Sequence, residues 1–145
     1  MKREQIERIL RVKEMRRKLA EVNYARANRE VHDRENAVLS AQDHETHIRA
    51  TSDNRREERL SRLLSKSDNP ALENGRITNI YKMTATEIRN SEIYTQSCKE
   101  ELSDALTIAT AKRQHLAHLL QREDRSKQLR DKVVSLEIME AIRHE

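Results

Sequence analysis

The residues best suited to chemistry are four histidines and one cysteine. His44 with His47, and His115 with His118, stand three residues apart, a spacing that sets two imidazoles on one face of a helix where a metal could bind. A stable site needs further ligands. In a chain that folds back between the two pairs they lie at different heights, so solvated surface histidines are expected, with no metal ligand and no cofactor. Cys98, the single cysteine, falls within a regular apolar series, where a thiol packs as a small hydrophobe; a nucleophile would need an open, electropositive pocket. One glycine in 145 residues leaves no material for a glycine-rich phosphate loop. Neither a Ser/His/Asp set nor a carboxylate pair has a concave scaffold to assemble on, and no catalytic residue is assigned. The chain is expected not to be an enzyme.

The elements that carry these residues are two helical stretches on either side of a break at Lys66–Arg76, which holds the only proline, Pro70, and the only glycine, Gly75. Proline removes a backbone donor and clashes with the preceding turn, so an incoming helix should stop before Pro70. Ser67, Asp68 and Asn69 compete with the backbone for hydrogen bonds, and Gly75 can take positive φ. These features predict helix over about 3–66, a turn over 67–76 and helix over about 77–143, with Thr78 a candidate N-cap, although the second helix could start earlier, at Pro70. The fold class is all-α, a long two-helix antiparallel coiled coil (α-hairpin) forming a single domain over 1–145. A kink in one continuous rod is the alternative.

Periodicity defines the packing face. On the first helix Ile6, Leu10, Ala20, Tyr24, Ala27, Val31, Val38, Ala41 and Ile48 alternate steps of three and four, with Lys13, Arg17, Arg34 and Glu45 on the same seam. Polar residues there weaken packing locally and can fix register. On the second helix the seam runs from Tyr81 through Thr84, Ile88, Ser91, Thr95, Cys98, Leu102, Ala105, Ala109, Lys112, Leu116 and Leu119. It continues through Glu123, Ser126 and Arg130 to Val133, after which the apolar phase shifts to Val134, Ile138 and Ile142. Each helix would be roughly 95 Å long at the helical rise.

Composition agrees with a seam rather than a layered core. Charged residues make up 37% and aromatics 2%, with no Phe or Trp, so bulky apolar material is scarce. Residues 1–20 carry eight basic side chains against three acidic and residues 112–145 eight against six, while 21–111 is mildly acidic. Folding back at Pro70 would gather the two basic segments at one end. A single cysteine suits a reducing compartment, the opening residues alternate charged and apolar types unlike a signal peptide, and no apolar run is long enough to span a bilayer. A cytoplasmic protein with no direct membrane insertion is expected. The basic helix could bind nucleic acid, but interleaved acids and the lack of nearby aromatics other than Tyr24 leave nucleic acid unexpected as a partner.

The stretch from Arg8 to Ala27, Arg-Ile-Leu-Arg-Val-Lys-Glu-Met-Arg-Arg-Lys-Leu-Ala-Glu-Val-Asn-Tyr-Ala-Arg-Ala, resembles the N-terminal pattern of the FliJ/YscO-like stalk proteins of type III secretion. Asn74-Gly75-Arg76-Ile77 followed by Tyr81 looks like that family's central turn. The second helix lacks the tryptophan often seen in flagellar members, which points to the injectisome branch. The resemblance implies a bacterial central stalk at the cytoplasmic face of a secretion apparatus. Its terminal end would enter a hexameric secretion ATPase, and the rest would meet a membrane protein of the export gate and substrate chaperones. Carried onto this chain, the ATPase-binding residues would be Arg8, Arg11, Lys13, Arg16 and Arg17 on the first helix and Arg125, Lys127, Arg130 and Lys132 on the second. Tyr81 would be the gate or chaperone contact. A generic coiled-coil scaffold or adaptor and a nucleic-acid-binding arm are the alternatives.

Overall fold

The computed structural model describes residues 2–69 and 73–145. Two helices, α1 (Arg3–Lys66) and α2 (Asn74–His144), make up its regular structure and pack against each other as an all-α helical hairpin. The start of α1 is capped by Gln5 of its own first turn. The Lys2 N–H donates to Gln5 Oε1 at 3.2 Å, and the Gln5 N–H donates back to the Lys2 carbonyl at 3.1 Å, so a helix end that would otherwise leave donors orphaned is satisfied. Glu4 in the first turn and Lys66 in the last have the signs that the helix dipole favours.

The end of α1 at Lys66 agrees with the expectation from sequence, but the start of α2 does not. The stop expected at Pro70 lies outside the described residues. Helix begins at Asn74 rather than Ile77, and Gly75 sits inside its first turn without positive φ. The reason is Glu73, whose carbonyl accepts the Ile77 N–H at 2.9 Å and so opens the helix. The Glu73 carboxylate also accepts from the Ser67 hydroxyl at 3.1 Å and lies 3.4 Å from Arg76. Thr78 is therefore not the N-cap. Its hydroxyl donates to the Asn74 carbonyl at 2.9 Å from within the helix.

The hairpin divides into two compact units, each taking a stretch of both helices. The terminal unit joins Met1–Val31 to Ala105–Glu145. Its buried apolar residues are Ile6, Leu10, Ala20, Val31, Ala105 and Ala109, joined by Glu123 and Ser126. Leu is scarce among them, so the helices approach closely through alanine but bury little area per layer.

The second unit, His32–Asp104, is built on Val38, Ala41, Ile48 and Cys98 with three buried hydroxyls, Thr84, Ser91 and Thr95. Cys98 clusters with Val38 and Ala41, with Leu102 against them. Every buried hydroxyl has a partner. Thr84 donates to the Ile80 carbonyl at 3.0 Å, Ser91 to Ile88 at 2.6 Å, and Thr95 to Ser91 at 3.0 Å and across the seam to Ala41 at 3.3 Å. Burial of these groups is tolerable because helical carbonyls lie within reach. Along the flanks Arg34 pairs with Glu101, Arg49 with Glu92, and Arg55 and Arg59 share Glu87. Such solvated pairs contribute little stability individually but select the antiparallel register.

Two seam positions are corrected. Tyr81 is 50% exposed; Ile77 and Ile80, half-buried, carry the seam to Thr84 in its place. Both series satisfy the three-four rule, and one face of the Tyr81 ring is instead covered by Arg56, whose guanidinium lies 4.9 Å from the ring centroid. Lys112 is exposed as well, since a lysine between two helices would lose its hydration with no acceptor to replace it. Past the half-buried Val133 and Val134, the shifted residues Ile138 and Ile142 face solvent, with Leu136 and Met139.

Candidate functional site

The terminal unit brings together the nine cations that the resemblance singles out, and it sorts them. Lys13 and Arg17 are turned into the seam. The Lys13 ammonium donates to the Ser126 hydroxyl and, at 3.4 Å, to the Arg122 carbonyl. Arg17 donates from Nε to Glu123 at 2.5 Å and from Nη1 to Glu21 at 2.7 Å. These hydrogen bonds, to Glu21 first and then to Glu123, hold the guanidinium above its ordinary value. Glu123, 3% exposed, is a charge that could not be buried alone. Arg17 supplies its counter-charge across the seam, and Lys127, one turn on, lies 3.4 Å from it.

Of the remaining cations, Arg130 donates to Asp131 at 3.3 Å. Arg8, Arg11, Arg16, Arg125 and Lys132 are exposed, and among the described residues none of the five has an ion-pair partner. The nine therefore serve three physical roles, Lys127 and Arg130 being paired with carboxylates of their own helix. Lys13 and Arg17 satisfy polar groups within the seam, and the five unpaired side chains offer positive charge outward.

Between the helices of this unit runs an open groove of about 300 Å³, lined by Glu7, Leu10, Arg11, Glu14, Arg17, Glu123, Lys127 and Arg130. Its carboxylates and cations largely offset one another, so it is not an anion cradle. Glu14 is held below the ordinary carboxylate range by a hydrogen bond from Lys18, 3.2 Å away, and by that ammonium's charge.

In the second unit Tyr81 is exposed and free to meet a partner on one face of its ring, with Arg56 over the other. Cys98 is buried. His44, His47, His115 and His118 are all exposed, and among the described residues no group of three or more His, Cys, Asp or Glu is placed to hold a metal ion. No described helix is long and apolar enough to cross a membrane.

One feature of the terminal unit lies outside the expected site. Val12, Met15, Leu19 and Val22 repeat the three-four spacing on the α1 face turned away from α2, with exposures between 46% and 71%. The spacing was legible in the sequence beside that of the seam.

Fold and site together define a helical hairpin whose terminal unit carries unpaired cations over an internally neutralised seam. No family model matches the chain, and neither a curated protein nor a solved structure is significantly similar to it.

Proposed function

We propose that this chain is a central stalk of a type III protein secretion apparatus, of the FliJ/YscO-like kind. Its terminal unit enters a hexameric secretion ATPase, and the hairpin links that ATPase to a membrane protein of the export gate. It hydrolyses nothing itself; it transmits asymmetry in the nucleotide-driven ring through two packed helices. The observation that carries the reading is the gathering of both chain ends into one unit with Arg8, Arg11, Arg16, Arg125 and Lys132 directed outward. An excess of unpaired positive charge at one end of a helical hairpin steers and orients insertion into an acidic cavity. Lys13 and Arg17 serve the stalk differently, by holding its two strands in register at Glu123 and Ser126. The export gate and substrate chaperones are assigned to the second unit, at Tyr81.

The test is ATP turnover and ring assembly by the hexameric secretion ATPase of the same organism, with and without the purified chain. Stimulation that disappears on charge reversal at Arg8, Arg11 and Arg16, and survives Tyr81→Ala, is the expected result. Turnover and assembly indifferent to the chain would remove the stalk reading and leave a generic coiled-coil adaptor.

A further inference from the structure

Isolated exposed apolar side chains are ordinary on a soluble helix, but Val12, Met15, Leu19 and Val22 are not isolated. Their exposures are 48%, 71%, 63% and 46%, and their spacing of three, four and three is that of the core positions of two consecutive heptads of a coiled coil. The seam toward α2 on the same stretch is made by Leu10, Lys13, Arg17 and Ala20, all buried or half-buried. This stretch of α1 thus has two heptad faces, one filled by α2 and one with nothing against it.

The edges of the open face decide what can fill it. In the register set by Val12 and Leu19, the flanking positions that meet a neighbouring helix are held by Arg11 and Lys18 on one side and by Arg16 on the other. No acidic residue occupies a flanking position between Arg11 and Ala25. At the two ends Arg8 and Arg26 take the next core positions, both exposed, and close the apolar stripe. Lys18 is shared with Glu14 at 3.2 Å, whereas Arg11 and Arg16 have no partner among the described residues. A second copy of this chain docked through the same face, parallel or antiparallel, would set arginine and lysine against arginine and lysine along both edges. Like charges in flanking positions oppose pairing, and opposite charges select it.

We infer that this face is a docking site for one amphipathic helix of another protein, about two heptads long, apolar at its core positions and lined with Glu or Asp at both edges. It packs against α1 alone, on the side opposite α2. The inference shares Arg8, Arg11 and Arg16 with the stalk reading but not its partner, and stands whether or not an ATPase is bound.

The experiment uses the full chain and two designed three-heptad peptides with leucine at every core position, one with Glu and one with Lys at the flanking positions. Fluorescence anisotropy should show the Glu peptide binding at least about tenfold more tightly than the Lys peptide, the gap narrowing as salt rises. Met15→Gln with Leu19→Gln should abolish that binding while leaving the circular dichroism of the hairpin unchanged. Arg11→Glu with Arg16→Glu should transfer the preference to the Lys peptide, and this exchange decides the matter alone should the glutamine variant fail to fold. Equal binding of both peptides, no binding of the Glu peptide, or binding indifferent to all four substitutions would overturn the proposal. So would a dimer in sedimentation that Met15→Gln and Leu19→Gln dissolve, which would make the occupant a second copy. Because no ATPase is present, failure here leaves the stalk reading untouched, and the reverse holds too.

Discussion

Arg17 on α1 donates to Glu123 on α2 across the seam at 2.5 Å, and the carboxylate it reaches is almost wholly buried. A seam of this kind could have been closed with leucine. The ion pair does not give the strongest packing; it makes one register distinct from its neighbours, because sliding either helix by a turn would take Arg17 from Glu123 while only Lys127 of its own helix stays with it. Glu123→Ala should therefore lower the thermal midpoint by several degrees, leaving Lys127 without its carboxylate and Arg17 with Glu21 alone, and Arg17→Ala should lower it further by taking the cross-seam cation from the buried acid. Arg17→Leu with Glu123→Leu should recover the wild-type midpoint or exceed it. Circular dichroism melts of the three variants check this; a double variant weaker than either single one would show that the charges stabilise outright.

In the second unit the limiting quantity is space rather than charge. Ala41 is 3% exposed and its carbonyl receives the Thr95 hydroxyl from the opposite helix at 3.3 Å. Ala41→Leu should cost about 1–3 kcal/mol by forcing the helices apart. Thr95→Val keeps the shape and removes a donor whose acceptor carbonyls remain bonded in the helix, so its cost should stay below about 1 kcal/mol. Urea unfolding of each variant provides both values.

Gly75 should stabilise the chain when replaced. A Cβ built there meets nothing within 4 Å, and φ is not positive. Gly75→Ala removes backbone freedom from the unfolded chain at no steric cost in the folded one, for a gain of about 0.4–1 kcal/mol. A loss of stability on the same substitution would mean that the residue does need left-handed backbone, as its place beside a turn suggests from sequence.

That position illustrates what could be read in advance. A glycine permits positive φ without requiring it, and whether the helix starts at Asn74 or Ile77 rests on the Glu73 carbonyl, which no composition rule marks. The seam was legible from Ile6 to Ile48 and, Lys112 apart, from Thr84 to Val133 because two helices with little else to bury must pair their apolar series. Where two phases fit equally, at Tyr81 against Ile77 and Ile80, local spacing had no means of choosing. The pairing of Arg17 with Glu123 depends on register between segments more than a hundred residues apart, which each helix alone leaves open. The resemblance could name nine cations but could not separate the two that face inward, and the two paired on their own helix, from the five that are unpaired.

Tyr94 and Cys98 lie one turn apart on α2. A hydrogen bond to the Cys98 sulfur, the charge of that sulfur and, more weakly, desolvation and Glu101 hold the phenol above its ordinary value of 10.0. A group whose folded value is raised contributes stability that is fully present below the unfolded value and is lost as pH rises through the folded one. Stability should thus fall across the alkaline range above the ordinary tyrosine value. The slope should be shallow, because Tyr94 is 60% exposed and solvent screens the interaction. Cys98→Ala removes acceptor and charge together, so Tyr94 should ionise at lower pH and the alkaline slope should flatten. With Tyr24→Phe and Tyr81→Phe in place, ultraviolet phenolate absorbance reports Tyr94 alone. The same substitution trims the cluster with Val38 and Ala41 and lowers stability at every pH, so the slope and the titration carry the test. A phenol titration indifferent to Cys98→Ala would mean that the sulfur does not accept from Tyr94 in solution.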